Sequence, residues 1–128
     1  MTERISSRTM HIGELAERTG LSLRTIRHYD EVGLLPATGR TEGGFRVYAE
    51  NDVERLTLIK QMKPLGFSLD EMAEILNILS ALESGSESGG AGQEKLAEFT
   101  ERAKAQRAKM ARNLSQADDF IDRMGKNT

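Results

Sequence analysis

The sequence predicts a mainly α-helical protein, in which short helices and one small hairpin form a body that is followed by a long helix. Three observations favour this fold class. Apolar residues recur at helical spacing over most of the chain, Gly and Pro separate the segments, and a seven-residue repeat fills the last part. With 128 residues, the chain is long enough for one compact domain with an appendage.

Two short helices are predicted near the start of the chain. Ile12, Leu15 and Ala16 have helical spacing, and Gly20 follows as a stop signal. Ser22 is suited to be the N-cap of a second helix, which Gly33 ends. Two such helices joined by a tight glycine-containing turn predict a helix-turn-helix over residues 12–31.

A small hairpin is predicted next, over residues 36–48. Gly and Pro become frequent there, and the alternation from Phe45 to Tyr48 is typical of a strand, with residues 41–44 as the tip of the hairpin. A two-stranded hairpin is marginal alone, so this one is expected to pack against the helices.

A second pair of helices is predicted over residues 51–80. Asn51 with Glu54 indicates an N-cap, and Pro64 and Gly66 end that helix. A stronger capping box, Ser68 to Glu71, opens the next helix.

The last part of the chain predicts a linker and a long helix. Seven of the nine residues 84–92 are Gly or Ser, which indicates a flexible linker over residues 83–92. Residues 93–124 then predict an amphipathic helix with an imperfect heptad seam, formed by Leu96, Phe99, Ala103, Met110, Leu114, Ala117, Ile121 and Met124. Such a stripe needs a partner. As the packing partner of this helix, a second copy of the chain is favoured over the preceding domain, because the predicted helix is longer than that domain.

Composition excludes several classes of protein. The absence of Cys excludes disulfides, thiolate metal sites and thiol redox sensing, and two separated His residues make a metal site unfavourable, so no cofactor and no metal are expected. The sequence also has no catalytic or phosphate-binding motif, so an enzyme is not expected. No apolar run is long enough for a secretory signal or a membrane span, so we expect a cytoplasmic protein without a membrane partner.

The net charge of −2 hides an uneven distribution. Residues 1–48, 49–92 and 93–128 carry +1, −5 and +2, and the stretch from residue 18 to residue 29 holds three Arg and no acidic residue. These Arg side chains could form a solvated face or a nucleic-acid contact, and composition alone favours the solvated face.

Residues 11–76 resemble the MerR family of bacterial transcription regulators. Five motifs in continuous order carry the resemblance: IGELAERTG, TIRHYDEVGLLP, RTEGGFRVY, NDVERL and LGFSLDE. The resemblance implies a winged helix-turn-helix DNA-binding domain over residues 9–80. It also implies that residues 93–124 dimerise as an antiparallel coiled coil.

The helix-turn-helix suggests which side chains would contact DNA. A recognition helix over residues 22–31 would enter the major groove, with its outward face opposite Leu23 and Ile26. The resemblance implies a phosphate contact for Tyr29, backbone contacts for the hairpin as a wing, and Phe45 in place of a common Tyr. With two lysines that could reach flanking phosphates, the expected DNA-binding residues are Ser22, Arg24, Thr25, Arg27, His28, Tyr29, Arg40, Phe45, Arg46, Tyr48, Lys60 and Lys63.

The function implied by the resemblance is binding of a homodimer to a near-palindromic promoter operator. Distortion of that double-stranded DNA would act indirectly on RNA polymerase. A helical protein-interaction adaptor with an incidental basic face is the alternative. A small-molecule effector is left open: either there is none, or an apolar one binds near Leu76, Leu79, Leu82 and Phe99.

Overall fold

The structure, a computed structural model, describes residues 9–85 and 90–127. It is mainly helical with one small sheet, as predicted. The elements in chain order are β1 (Thr9–His11), α1 (Ile12–Thr19), α2 (Leu23–Glu31), β2 (Gly39–Arg40), β3 (Arg46–Ala49), α3 (Asn51–Met62), a 3-10 turn (Lys63–Leu65), α4 (Leu69–Ser84) and α5 (Ala91–Lys126). The chain divides into two compact units after Leu76.

The first two helices form the predicted helix-turn-helix. Gly20 ends α1 in the left-handed region, with φ of 76°, and its N–H donates to the carbonyl of Ala16 at 2.8 Å. Ser22 is the N-cap of α2, since its hydroxyl oxygen accepts from the N–H of Thr25 at 3.0 Å. The stop at Thr19–Gly20 and the cap at Ser22 are therefore confirmed.

The hairpin belongs to a sheet that the sequence does not predict in full. β3 lies in the centre, antiparallel to β2 on one side and to β1 on the other, with Met10 opposite Tyr48 and Gly39 opposite Val47. The predicted tip at residues 41–44 is closed by hydrogen bonds from Gly44 N to Thr41 O and from Thr41 N to Phe45 O. β1 is only three residues long, too short for an alternation to be recognised.

The caps of the second helix pair agree with the sequence in one case and differ in the other. At the start of α4, Ser68 and Glu71 form the predicted capping box with reciprocal bonds of 2.9 and 3.1 Å. The prediction that Asn51 caps α3 is wrong, because Asn51 is already its first helical residue. Asp52 in the first turn instead accepts a hydrogen bond from the N–H of Ala49 at 2.9 Å.

The core of the first unit is formed by residues of α1, α2, β3 and α3 and of the segment that follows α2. The largest side chains without exposed surface are Leu15, Ile26, Leu35, Tyr48, Leu56 and Ile59. Burial of α1, α2, the sheet and α3 in one core fixes the orientation of α2 and of the hairpin within this unit.

The long helix α5 has 36 residues and is therefore about 54 Å long. Its bounds are wider than predicted. α4 continues to Ser84 and α5 begins at Ala91, so four residues of the predicted linker (83, 84, 91 and 92) are helical, while residues 86–89 lie outside the described ones. Glu83 and Ala91 are good helix formers, and a single Ser or Gly costs a helix about 1 kcal/mol or less, so the frequency of Gly and Ser does not fix where a helix ends.

The predicted seam of α5 changes in exposure along its length. Phe99 is buried, whereas Met110, Leu114, Ile121 and Met124 are 41%, 64%, 66% and 54% exposed. Phe120, beside the seam, is 63% exposed. In the described part of the chain, no helix combines the length and the apolar character that crossing a membrane requires.

Candidate nucleic-acid interface

One face of α2 is directed to solvent and carries the predicted contact residues. Ile26 and Tyr29 are buried, at 0% and 5% exposure, and they anchor the helix in the core. On the other side, Arg24, Arg27 and His28 are exposed and Thr25 is half-buried. The amphipathic pattern of α2 therefore separates the side chains that hold the helix from those that are free to contact a ligand.

The two arginines of this face differ from Arg18, the third arginine of the helix-turn-helix. Within residues 9–85 and 90–127, the guanidinium groups of Arg24 and Arg27 have no hydrogen-bond or ionic partner. By contrast, Arg18 is paired with Glu50, with an Nη1 to Oε1 distance of 2.9 Å, and this hydrogen bond raises the pKa of Arg18. Arg24 and Arg27 are therefore the available cations of the helix-turn-helix.

Ser22 and Tyr29 have structural roles at the two ends of the same helix. The Ser22 hydroxyl caps α2 and also donates to the hydroxyl of Thr25 at 2.9 Å. Tyr29 is almost fully enclosed, and its ring centroid lies 6.1 Å from that of His28. The phosphate contact that the resemblance implies for Tyr29 stays a prediction.

The hairpin is stabilised by some of the residues that were predicted to contact DNA. Arg40 donates from Nη1 to the carbonyl of Gly44 at 2.8 Å and so connects β2 to the tip. Phe45 is 68% exposed, and a Cβ at Gly43 would lie only 3.2 Å from its ring. Gly43 therefore allows the phenyl ring to lie along the tip while most of its surface faces solvent.

Arg46 connects the hairpin to α2 through an ion pair that the sequence did not reveal. Its Nε lies 2.6 Å from Oδ2 of Asp30, and the two side chains are 21% and 16% exposed. Oδ1 of Asp30 also accepts from the N–H of Ala37 at 3.0 Å. Burial alone would raise the pKa of Asp30, but the hydrogen bonds from Arg46 and Ala37 hold it below its usual value. The same hydrogen bond raises the pKa of Arg46.

Tyr48 requires a correction. The sequence placed it among the wing residues that hold the DNA backbone, but its side chain has 0% exposure. A residue without accessible surface cannot offer its hydroxyl to a phosphate, so Tyr48 is a core residue in this structure. Burial raises its pKa, and its hydroxyl oxygen has no hydrogen-bond partner among the residues that the structure describes.

Of the two lysines that were predicted to contact DNA, one has a structural role and the other is free. The ammonium of Lys60 donates to the carbonyl of Thr19, the last residue of α1, at 2.6 Å. A cation at this end of a helix is favourable because the final carbonyl groups carry partial negative charge. Lys63 is exposed, and its ammonium contacts no acceptor in the described chain. Lys60 therefore stabilises the first unit, while Lys63 is available.

The described residues contain no group of three or more His, Asp or Glu side chains that could hold a metal ion. The arrangement that does stand out is a helix-turn-helix with two unpaired arginines, and a hairpin joined to it by Asp30. This combination is typical of winged nucleic-acid-binding domains.

Comparison with known proteins agrees with a winged nucleic-acid-binding domain. MerR HTH family regulatory proteins match residues 10–78, and a second family, described as MerR, DNA binding, matches residues 53–119. The chain belongs to the MerR family. The family is described as one of regulatory proteins, and the relative ZntR is named as a transcriptional regulator.

Individual relatives in the MerR family agree with this. The HTH-type transcriptional regulator ZntR of Escherichia coli strain K12 is 40% identical over 110 residues, which are 84% of this chain and 77% of ZntR. The solved structure of HiNmlR, a MerR family regulator lacking the sensor domain and bound to promoter DNA, matches with a TM-score of 0.66 and 29% identity, covering 90% of this chain and 89% of HiNmlR.

Other relatives match over a smaller part of their own length. The mercuric resistance operon regulatory protein of Bacillus cereus is 46% identical over 68 residues, which are 53% of this chain and 52% of that protein. For this relative and three others, the matched part covers 32% to 56% of their own length. The chain therefore spans only about a third to a little over half of the length of these relatives.

Proposed function

We propose that this chain is a sequence-specific DNA-binding transcription regulator of the MerR type. As a homodimer, it binds a near-palindromic promoter operator and distorts it, which acts indirectly on RNA polymerase. The observation that carries the proposal is the outward face of α2, where Arg24 and Arg27 are exposed and unpaired within the described chain.

The chemistry of this face suits the major groove. An arginine fork can bind the O6 and N7 atoms of guanine with two hydrogen bonds, or it can bind a phosphate. A helix that is anchored in the core by Ile26 and Tyr29 presents such side chains with little loss of backbone entropy on binding. The DNA-bound HiNmlR, which matches 90% of this chain, supports the same use of the fold.

The homodimer is supported by the exposed apolar residues of α5. Four seam residues, Met110, Leu114, Ile121 and Met124, are more than 40% exposed. Apolar residues at heptad spacing lose water-exposed surface when two helices form a coiled coil. A dimer would also present α2 and the wing twice, which matches a palindromic operator. Two wings on one operator would supply contacts that offset the cost of distorting the DNA.

DNA binding is tested by fluorescence anisotropy with duplexes from the promoter of the chain's own gene and the neighbouring divergent gene. We expect the wild type to bind one duplex specifically, and Arg24→Ala to bind it about 10- to 100-fold more weakly. Arg112→Ala, which changes an exposed arginine of α5, is the matched control and should bind like the wild type. Equal binding by wild type and Arg24→Ala would remove α2 from the proposal.

The oligomeric state is measured on the same samples by sedimentation. A dimer is expected for the wild type, whereas Leu114→Glu should shift it towards monomer because a charge in the seam opposes burial. The adaptor alternative predicts a dimer without specific DNA affinity. A monomeric wild type, or a dimer that binds no promoter duplex specifically, would refute the corresponding half of the proposal.

An effector is a separate question. Metal or thiol sensing through Cys is not part of the proposal, because the sequence contains no Cys. An apolar ligand would stabilise the folded chain against heat in proportion to its concentration over Kd. A thermal-shift panel of cationic dyes and metabolites tests this, and no stabilisation by any compound would favour a regulator without a ligand.

A further inference from the structure

Asp30 lies where α2 meets the hairpin, and it is the one acidic residue of α2 that is half-buried. Its two carboxylate oxygens contact two different partners. Oδ1 accepts from the N–H of Ala37 at 3.0 Å, in the segment that leads into β2, and Oδ2 accepts from Nε of Arg46 at 2.6 Å, on β3. A single side chain of the recognition helix therefore holds both sides of the hairpin.

The way in which Arg46 is held leaves part of it available. Only Nε contacts Asp30, and the two terminal nitrogens contact no acceptor in residues 9–85 or 90–127. The side chain remains 21% exposed, so the held guanidinium still reaches solvent. A guanidinium fixed at Nε has lost most of its rotamer freedom, yet it keeps four terminal N–H donors.

We propose that Asp30 is a positioning residue for DNA binding, which fixes the Arg46 guanidinium so that its terminal nitrogens bind a backbone phosphate. The inference rests on the proposed function and adds a residue that does not touch DNA itself. Binding through a pre-oriented arginine costs less side-chain entropy than binding through a free one. The bond to Ala37 keeps the hairpin, and so Arg46, at a fixed position relative to α2.

The sign of the expected effect separates this proposal from simple electrostatics. A carboxylate close to DNA repels the phosphates, so removal of its charge should strengthen binding if charge alone matters. If Asp30 acts by positioning Arg46, removal of the carboxylate should weaken binding instead. The two explanations therefore predict opposite changes in affinity.

Asp30→Asn is the decisive variant. The amide keeps a carbonyl oxygen for the N–H of Ala37, but it replaces the acceptor for Nε of Arg46 with a donor. We expect its affinity for the promoter duplex to fall about tenfold, although the protein becomes more positive. Glu31→Gln is the matched control: it removes the same charge at the next, exposed position, and its affinity should equal or exceed that of the wild type. Circular dichroism and thermal unfolding check that both variants fold.

The double variant shows whether Asp30 acts through Arg46. In an Arg46→Ala background, Asp30→Asn should change the affinity little, because the residue that it positions is gone. The slope of log K against log salt should fall by about 0.9 for each phosphate that the protein no longer neutralises, so by about 1.8 for a dimer, in Asp30→Asn and Arg46→Ala alike. Arg46→Lys, which keeps the charge without Nε, should bind as weakly as Asp30→Asn.

The outcomes distinguish the two proposals. A wild type without specific DNA binding refutes the proposed function. If the wild type binds specifically, three results would each refute the role of Asp30. The first is that Asp30→Asn binds as well as Glu31→Gln. The others are that the effect of Asp30→Asn persists undiminished in the Arg46→Ala background, or that Arg46→Lys binds like the wild type. Weaker binding, a lower salt slope and non-additivity together support it.

Discussion

The recognition helix and the wing hold their charged and aromatic side chains in opposite ways. On α2, Arg24 and Arg27 extend to solvent without a partner in the described chain, while the apolar side carries the packing. On the wing, Arg40 and Arg46 are engaged by Gly44 and Asp30, and Tyr48 is part of the core. The helix keeps its structural residues apart from those that are proposed to contact DNA, whereas Arg40 and Arg46 of the wing are proposed to serve in both roles.

This difference follows from the size of the two elements. A nine-residue helix has enough side chains on one face to anchor it and leaves the other face free. Two strands of two and four residues bury too little to be stable alone, so their polar side chains are used to hold them. Substitution of Arg40 or Arg46 in the wing should therefore affect folding and binding together, whereas substitution of Arg24 or Arg27 on the exposed face of α2 should affect binding only.

The largest expected effect is on folding, in Tyr48→Ala. Removing a fully buried aromatic side chain should lower the free energy of unfolding by about 3–5 kcal/mol. Phe45→Ala is the control on the same hairpin, because its ring is mostly exposed, and it should change stability by less than about 0.5 kcal/mol. Urea unfolding followed by circular dichroism measures both. If Tyr48→Ala lost as little stability as Phe45→Ala, Tyr48 would not be part of the core.

A smaller effect, on binding alone, is expected for Arg27→Ala on α2. Removal of one exposed arginine side chain should weaken promoter binding by about 1–3 kcal/mol if it reads a base. The midpoint of urea unfolding should stay unchanged, since Arg27 contacts no partner in the described residues. The contrast between α2 and the wing fails if Arg27→Ala destabilises the fold as much as it weakens binding.

The sequence was sufficient for most features whose determining residues are close together, with the N-cap of α3 as an exception. The caps at Ser22 and at Ser68 with Glu71, the stop at Gly20 and the two faces of α2 all depend on residues within one or two turns. These elements were predicted correctly, except that Leu23, which was placed on the apolar face of α2 with Ile26, is 39% exposed. The tip of the hairpin was found for the same reason, because Gly43 and Gly44 are adjacent.

What the sequence did not predict depends on residues far apart in the chain. β1 pairs with β3 across the whole helix-turn-helix, and the bond from Lys60 to Thr19 joins α3 to α1. The pairing of Asp30 with Arg46 spans 16 residues and has no periodic signature. In the sequence, the only indication of this ion pair is an acidic residue in an arginine-rich helix. Tertiary contacts such as these decide which of the predicted contact residues are free.

Lys60 and Lys63 are three positions apart in the chain. Substituting each of them tests the distinction between a cation that stabilises the fold and one that is free to bind DNA. Lys60→Met should lower stability by about 0.3–1 kcal/mol, because the end of α1 loses a favourable cation, and leave the salt dependence of DNA binding unchanged. Lys63→Met should do the reverse: stability is kept, and the salt slope falls by about 0.9 per protomer if Lys63 binds a phosphate. Identical profiles for the two variants would remove the distinction.

The smallest expected effect is that of Tyr48→Phe, which separates the ring of Tyr48 from its hydroxyl. That oxygen is buried and has no partner among the described residues, so its removal should leave stability unchanged or raise it by up to about 1 kcal/mol at neutral pH. Burial raises the pKa of Tyr48, so the unfolded chain ionises first. The stability of the wild type should therefore be kept below about pH 10 and fall as the pH rises towards the folded pKa.

Tyr48→Phe lacks this ionisation, so its free energy of unfolding should rise relative to that of the wild type above about pH 10. Urea unfolding at neutral and alkaline pH gives the difference. DNA affinity is the second readout: it should be equal in the two proteins, because an enclosed hydroxyl does not reach a phosphate. A loss of affinity without a loss of stability would return Tyr48 to the set of DNA contacts and would show that the wing opens on binding.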